Sequence, residues 1–141
     1  MRYRLRSLMF FLALPAIALG LVATHQRYYA TTRSGVTAAV ANRKLWAGYT
    51  LPATATDVTY YADSYGCEAD FAIAETDFVA WCAARGWAVT PISSPTPFFQ
   101  PVLLPDDETP VADGFTFQMP NGEGTFDRTR SRAAFRVSTL P

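Results

Sequence analysis

Residues 8–23, LMFFLALPAIALGLVA, form an uncharged apolar stretch that constrains the organisation of this 141-residue chain more than any other feature. Arg2, Arg4 and Arg6 precede it. With its uncharged flanks, the stretch reaches about the minimum of 17 residues that a membrane-spanning helix needs. Basic residues before such a stretch favour a cytoplasmic N-terminus. We therefore expect residues 1–25 to form a retained signal anchor, a single-pass transmembrane segment in the cell membrane with the C-terminal domain extracytoplasmic.

Two other interpretations of this segment remain open. A cleaved signal peptide would make the protein secreted, and Ala18 with Gly20 is the pair of small residues suited to a cleavage site. Cleavage there would remove part of the apolar stretch itself, which favours retention. A buried core helix of a cytosolic protein is the third interpretation, and the N-terminal arginines argue against it.

The formal net charge of zero conceals a strong asymmetry along the chain. Residues 1–44 carry only basic charges, whereas residues 45–127 carry all 12 acidic residues and a single arginine, Arg85. Phosphate binding needs a positive surface, so this acidic body predicts no nucleic-acid partner.

Four arginines follow the acidic body without any acid among them. They are Arg128, Arg130, Arg132 and Arg136. Their clustering makes them the best candidate binding site, one for an anionic lipid or polymer. The alternative is that they are outward residues of a final hairpin and pair with the acidic body.

The pattern after the anchor divides the chain into a stalk and a domain. Residues 26–50 have no sustained periodicity and predict a stalk or linker. Residues 51–141 form the expected extracytoplasmic domain. Within it, residues 57–62 and 67–74 alternate apolar and polar side chains around the turn sequence DSYG, which predicts a β-hairpin with its acids facing outward.

The next segments predict one helix and a loop. Thr76 is a suitable N-cap for a helix that starts at Asp77, and Gly86 is a suitable residue to end it. A return strand is expected over residues 87–92. Residues 91–110 contain six of the ten prolines and predict a surface loop, whose apolar residues, including Phe98, we expect to pack against the core.

The remaining chain predicts further strands at 114–119, 125–128 and 132–138. The expected fold class is therefore α+β. It consists of an N-terminal transmembrane helix followed by a small antiparallel sheet of four to six strands, with one helix packed on one face.

Three stretches carry a resemblance to a group of known proteins. LPATATDVTYY at 51–61, FVAWCAARGW at 78–87 and FDRTRSRAAFRVS at 126–138 resemble, in their arrangement, small bacterial extracytoplasmic proteins with an N-terminal membrane anchor and uncharacterised function. The resemblance implies the same anchored arrangement, and it implies no activity and no functional residues.

The residue inventory excludes several classes of active site. The only histidine, His25, lies at the end of the apolar segment, so the domain cannot supply a Ser-His-Asp triad, a Cys-His pair or a histidine-containing zinc site. No phosphate-binding or dinucleotide-binding glycine motif occurs, and no cofactor is expected. Cys67 and Cys82 are expected to be buried free thiols; a disulfide and a reactive thiol are the alternatives.

Carboxylates provide the remaining candidates. Residues 106–108 with Asp113 could hold a calcium ion, but they lack the pattern of an EF-hand loop, so we assign no metal residues. Glu68, Asp70 and Glu75 could include an acid and base pair, which gives the alternative of a small secreted carboxylate-dependent hydrolase. We assign no catalytic residues. The favoured function is a non-catalytic interaction domain for an envelope protein or polymer.

Overall fold

A single antiparallel sheet of seven strands dominates the computed structural model, which describes residues 31–99 and 110–139. The strands are β1 (Thr31–Val36), β2 (Thr56–Ala62), β3 (Gly66–Ala72), β4 (Ala88–Pro91), β5 (Gly114–Met119), β6 (Gly122–Asp127) and β7 (Arg132–Ser138). The helices are α1 (Ala38–Ala41), a 3-10 helix (Ala47–Tyr49) and α2 (Glu75–Arg85). The strand order is β1-β2-β3-β7-β6-β5-β4.

The expected fold class of α+β with four to six strands is wrong, because the residues that the structure describes form mostly a seven-stranded antiparallel sheet with little helix. β1 lies in the range 26–50 that was interpreted as a stalk, and it forms an edge of the sheet beside β2. Its side chains are exposed or half-buried, and its register with β2 is irregular between Arg33 and Val36. An edge strand of this kind has no buried face to impose an alternating pattern on its sequence.

The predicted membrane anchor at residues 8–23 lies outside the described residues. Among the residues that the structure does describe, no helix has the length and apolar character needed to cross a membrane.

Two local predictions are confirmed. β2 and β3 form the expected hairpin, and Gly86 ends α2 in the left-handed conformation with φ of 68°. The start of α2 differs from the prediction, because the helix begins at Glu75 and its N-cap residue is Ala74, which offers no side-chain cap. Thr76 therefore lies within the first turn.

α2 links β3 to β4 at the far edge of the sheet and covers one face, which we call the core face. The ring of Phe78 stacks on that of Phe126, with centroids 4.6 Å apart, and meets that of Phe117 edge-on at 5.3 Å. Trp81 meets Phe71 of β3 edge-on at 5.7 Å. Phe71 lies on β3, whereas Phe117 and Phe126 lie on β5 and β6, so burying these rings fixes α2 across the pairing of β3 with β7.

Residues on either side of the undescribed range 100–109 in the proline-rich region pack on the opposite face. Phe98 is 7% exposed and forms a small apolar cluster with Val111 and with Ala134 of β7. Thr96 pairs with Val111 through backbone hydrogen bonds of 3.0 and 2.8 Å, which hold the two ends of the segment together. The expectation that this loop packs its apolar residues inward is thus confirmed for Phe98.

Replacement of Gly124 tests the packing of the aromatic core. A Cβ at this position of β6 would overlap the ring of Phe117 and lie 2.6 Å from the carbonyl oxygen of Ala134. We expect Gly124→Ala to lower the free energy of unfolding in urea by about 2 kcal/mol through overpacking. Gly48→Ala is the matched control, because a Cβ at Gly48 meets nothing within 4 Å. Equal stability of the two variants would contradict this account of the core.

Candidate functional site

The face of the sheet opposite α2, which we call the polar face, carries the candidate site. Strand alternation places Cys67, Ala69 and Phe71 of β3 on the core face, so Glu68 and Asp70 lie on the polar face. The expectation that these two acids face away from the core is confirmed, but they are only 7% and 6% exposed. Buried carboxylates need partners, and β7 supplies them.

Two arginines of β7 neutralise these buried acids. Arg132 Nε lies 2.9 Å from Asp70 Oδ1, and its Nη1 lies 2.7 Å from Asp57 Oδ2. Arg136 Nε lies 2.6 Å from Glu68 Oε1. Burial raises the pKa of Asp70, and the hydrogen bond from Arg132 opposes that rise without cancelling it. The ion pairs therefore offset a real desolvation cost within the sheet.

The two other arginines of the predicted cluster lie in the turn between β6 and β7. Arg128 contacts Glu75 of α2 at 2.7 Å and also pairs with Asp113. Arg130 lies 3.3 Å from Asp127. All four arginines thus have a carboxylate partner, the arrangement that the alternative interpretation of the cluster describes. Anion binding by them stays a prediction.

A shallow groove lies at one end of the polar face, where two depressions of about 350 and 320 Å³ share Arg136 and Ser138. We call this the transverse groove. Its polar face residues from consecutive strands are Tyr61, Glu68, Arg136, Glu123 and Gln118. Its rim and floor include Asp63, Tyr65, Gly66, Asn121 and Ser138.

The β2–β3 turn presents an aromatic side chain at the groove. Tyr65 is 53% exposed, while Asp63 Oδ1 accepts hydrogen bonds from the backbone N–H groups of Tyr65 and Gly66 at 2.7 and 2.8 Å. The other carboxylate oxygen accepts a hydrogen bond from the Tyr61 hydroxyl at 2.8 Å. The backbone N–H of Thr139 also donates to the Tyr65 carbonyl at 2.8 Å. The backbone that carries this exposed ring is therefore fixed from two sides.

The hydrogen bonds of this turn set its electrostatics. Burial by itself would raise the pKa of Asp63, but the hydrogen bonds from Tyr65, Tyr61 and Gly66 outweigh it and hold the pKa below its ordinary value. The hydrogen bond to Asp63 raises the pKa of Tyr61, and burial adds to that rise. At neutral pH the turn thus holds an ionised Asp63 and a neutral Tyr61.

The cysteines and carboxylates that the sequence offered as candidates do not form a reactive centre in the groove. Cys67 and Cys82 are free thiols buried in the core, and burial raises the pKa of Cys82 to about 12. Glu75 pairs with Arg128 instead of facing Glu68. Within the described ranges, no group of three or more histidine, cysteine or acidic side chains could hold a metal ion. Residues 106–108 lie outside those ranges.

Several groove residues were not identified from the sequence. Gln118 and Asn121 come from the β5–β6 hairpin, and they reach the groove only because β6 pairs with β7. Tyr65 had a local signal, since it is an aromatic residue inside a sequence of turn-forming residues.

Two arginine replacements test the difference between buried and exposed ion pairs. The side chain of Asp70 is 8% exposed, so Arg132→Met should cost about 3 kcal/mol of unfolding free energy by leaving a buried charge. Arg128→Met should cost under about 1 kcal/mol, because Glu75 and Asp113 are 40% and 58% exposed. Urea titration measures both. Adding Asp70→Asn to Arg132→Met should restore part of the lost unfolding free energy. Equal costs of Arg132→Met and Arg128→Met would contradict the distinction between a buried and an exposed ion pair.

The turn at Asp63 generates a pH prediction. Its pKa is lowered on folding, so its contribution is present above the ordinary value of 3.8 and is lost as pH falls through the folded value. We expect Asp63→Asn to lower the unfolding free energy by about 1 kcal/mol at pH near 7, because the amide accepts hydrogen bonds through one oxygen only. The difference in unfolding free energy between this variant and the unsubstituted protein should shrink as the pH falls below the ordinary pKa of Asp63. A difference that is constant with pH would contradict the proposed role of the carboxylate.

Comparisons with known proteins assign this chain to no family. The chain matches no protein-family model, no curated protein and no solved structure.

Proposed function

We propose that the domain formed by the described residues is a non-catalytic binding domain whose contact surface is the transverse groove. The observation that carries the proposal is the exposed ring of Tyr65, held on a fixed turn beside the ion pair of Arg136 and Glu68. The partner is an envelope protein or polymer, as expected from the sequence. Membrane attachment through residues 8–23 remains a prediction from the sequence.

Residue type and rigidity both support this proposal. Tyrosine and arginine are enriched among the residues that dominate binding energies. A binding surface that is already ordered loses less conformational entropy when it associates. The hydrogen bonds from Tyr65 and Gly66 to Asp63, together with the hydrogen bond from Thr139, supply that order before any partner arrives.

The alternative of a carboxylate-dependent hydrolase receives less support. A general acid must come within hydrogen-bond reach of its substrate. The side chain of Asp70 is 8% exposed, is paired with Arg132 and lines neither depression of the groove. Glu68 lines the groove but is paired with Arg136 at 2.6 Å. Only one of the two acids, Glu68, therefore lies at the groove. A carboxylate-dependent hydrolase needs a pair of carboxylates at its substrate, so this arrangement favours binding over hydrolysis.

Site-specific photo-crosslinking tests the proposal. A benzophenone side chain replaces Tyr65 in the full-length chain, which is made in the cells that naturally produce it and then irradiated. Because benzophenone inserts into C–H bonds of protein and polymer alike, we expect a discrete adduct of higher mass. Electrophoresis and mass spectrometry measure the adduct.

The matched control places the same side chain at Val79, which is 41% exposed on α2 at the other face of the sheet. A Gln118→Ala change in the Tyr65-labelled chain should reduce the adduct, because Gln118 lines the same groove. Absence of an adduct at Tyr65, or an equal adduct at Val79, would overturn the proposal.

A further inference from the structure

The transverse groove has the dimensions of an extended ligand. Its row of polar side chains runs across five adjacent strands from Tyr61 to Gln118, since each residue is the register partner of the next. At about 4.8 Å per strand, the row is roughly 19 Å long. Thr32 extends it at the β1 end, and its hydroxyl oxygen is buried without a hydrogen-bond partner. A linear chain of several units fits this length better than one small compact molecule.

The charges that line the groove disfavour an anionic ligand. Three carboxylates, Asp63, Glu68 and Glu123, lie along the two depressions with one arginine, Arg136. Arg136 is paired with Glu68, and its register partner on β6 is Glu123. A negative excess repels phosphates, sulfates and uronic acids. The ligand is therefore uncharged or cationic.

The carboxylates of the groove already have hydrogen-bond or ion-pair partners, which favours an uncharged ligand over a cationic one. Asp63 already accepts three hydrogen bonds within its turn, and Glu68 is bound to Arg136. A polycation would have to displace these partners to gain full ion pairs, at the cost of the buried network. An uncharged ligand can bond to other polar side chains of the groove without breaking these pairs.

The hydrogen-bonding groups match a ligand rich in hydroxyls. Gln118 and Asn121 each carry both donors and acceptors, and the Arg136 guanidinium carries donors in a plane. Planar amide and guanidinium groups can bond two neighbouring hydroxyls at once. Tyr65 adds an exposed aromatic face, on which the C–H face of a sugar ring can pack. The groove residues thus combine an aromatic stacking platform with a row of hydrogen-bonding side chains.

We infer that the transverse groove binds a linear, uncharged glycan. One sugar ring packs on Tyr65, and hydroxyls of the following units bond to Arg136, Glu123 and Gln118. This inference rests on the proposed function, because it names the ligand class of the same groove.

Isothermal titration calorimetry tests the inference with three glycan probes, cellohexaose, chitohexaose and maltohexaose, and with hexalysine as a cationic comparison. Each probe is added to the full-length protein. We expect at least one glycan to bind with a Kd at or below about 1 mM. Its Kd should change less than about twofold between about 50 and 500 mM NaCl, because no ion pairs form. Tyr65→Ala should weaken binding about tenfold, a loss at the lower end of that seen when the aromatic platform of a stacked nucleic-acid base is removed. Tyr65→Phe should retain binding, and Val79→Ala should leave the Kd unchanged.

The outcomes separate the ligand class from the proposed function. If no hexasaccharide binds, or if Tyr65→Ala leaves the Kd unchanged, the glycan inference is wrong. Tighter and salt-sensitive binding of hexalysine would also overturn it and would assign a cationic peptide instead. An adduct at Tyr65 in the crosslinking experiment, together with no binding of the three glycans, would leave the binding domain standing with another ligand.

Discussion

The pairing of β3 with β7 is the constraint on which the rest of the structure depends. It joins the β1-β2-β3 half of the sheet to the β7-β6-β5-β4 half, through a register that runs from Gly66 with Ser138 to Ala72 with Arg132. The two sides of this joint have different chemistry. Phe71 meets Phe135 edge-on at 6.5 Å on the core face, whereas acids meet arginines on the polar face.

The charged side of the joint specifies the register more than it adds stability. A slip of one residue would turn Glu68 and Asp70 towards α2 and would bury charges among aromatic rings. Buried ion pairs offset their own desolvation cost and leave little net stabilisation. The aromatic side, anchored by Phe78 and Trp81 of α2, supplies the apolar burial that favours folding. The core face thus supplies most of the stability of the sheet, whereas the polar face specifies the register of β3 with β7.

The limits of sequence-based prediction follow from the same joint. The β2–β3 hairpin and the end of α2 at Gly86 were predictable, because turn residues and a left-handed glycine act locally. The partners of the arginines were not, since Arg132 and Asp70 are 62 residues apart and Arg136 and Glu68 are 68 apart. No local pattern encodes which acid faces which arginine across such separations. The strand count failed at β1, whose edge position leaves no alternating pattern.

The position of the groove follows from how the remainder of the polar face is occupied. The middle of that face is covered at Ala134, where Phe98 and Val111 pack on a small side chain. One end is filled by ion pairs, with Arg132 joined to both Asp70 and Asp57.

At the other end, Gly66 contributes no side chain beside Ser138, and the backbone of Val137 approaches it so closely that a Cβ would collide with the carbonyl oxygen. The missing side chain deepens the floor of the groove next to the turn that carries Tyr65. The same glycine permits the close approach of β3 and β7 at the end of their pairing. The joint that sets the fold therefore also creates the surface on which we expect binding.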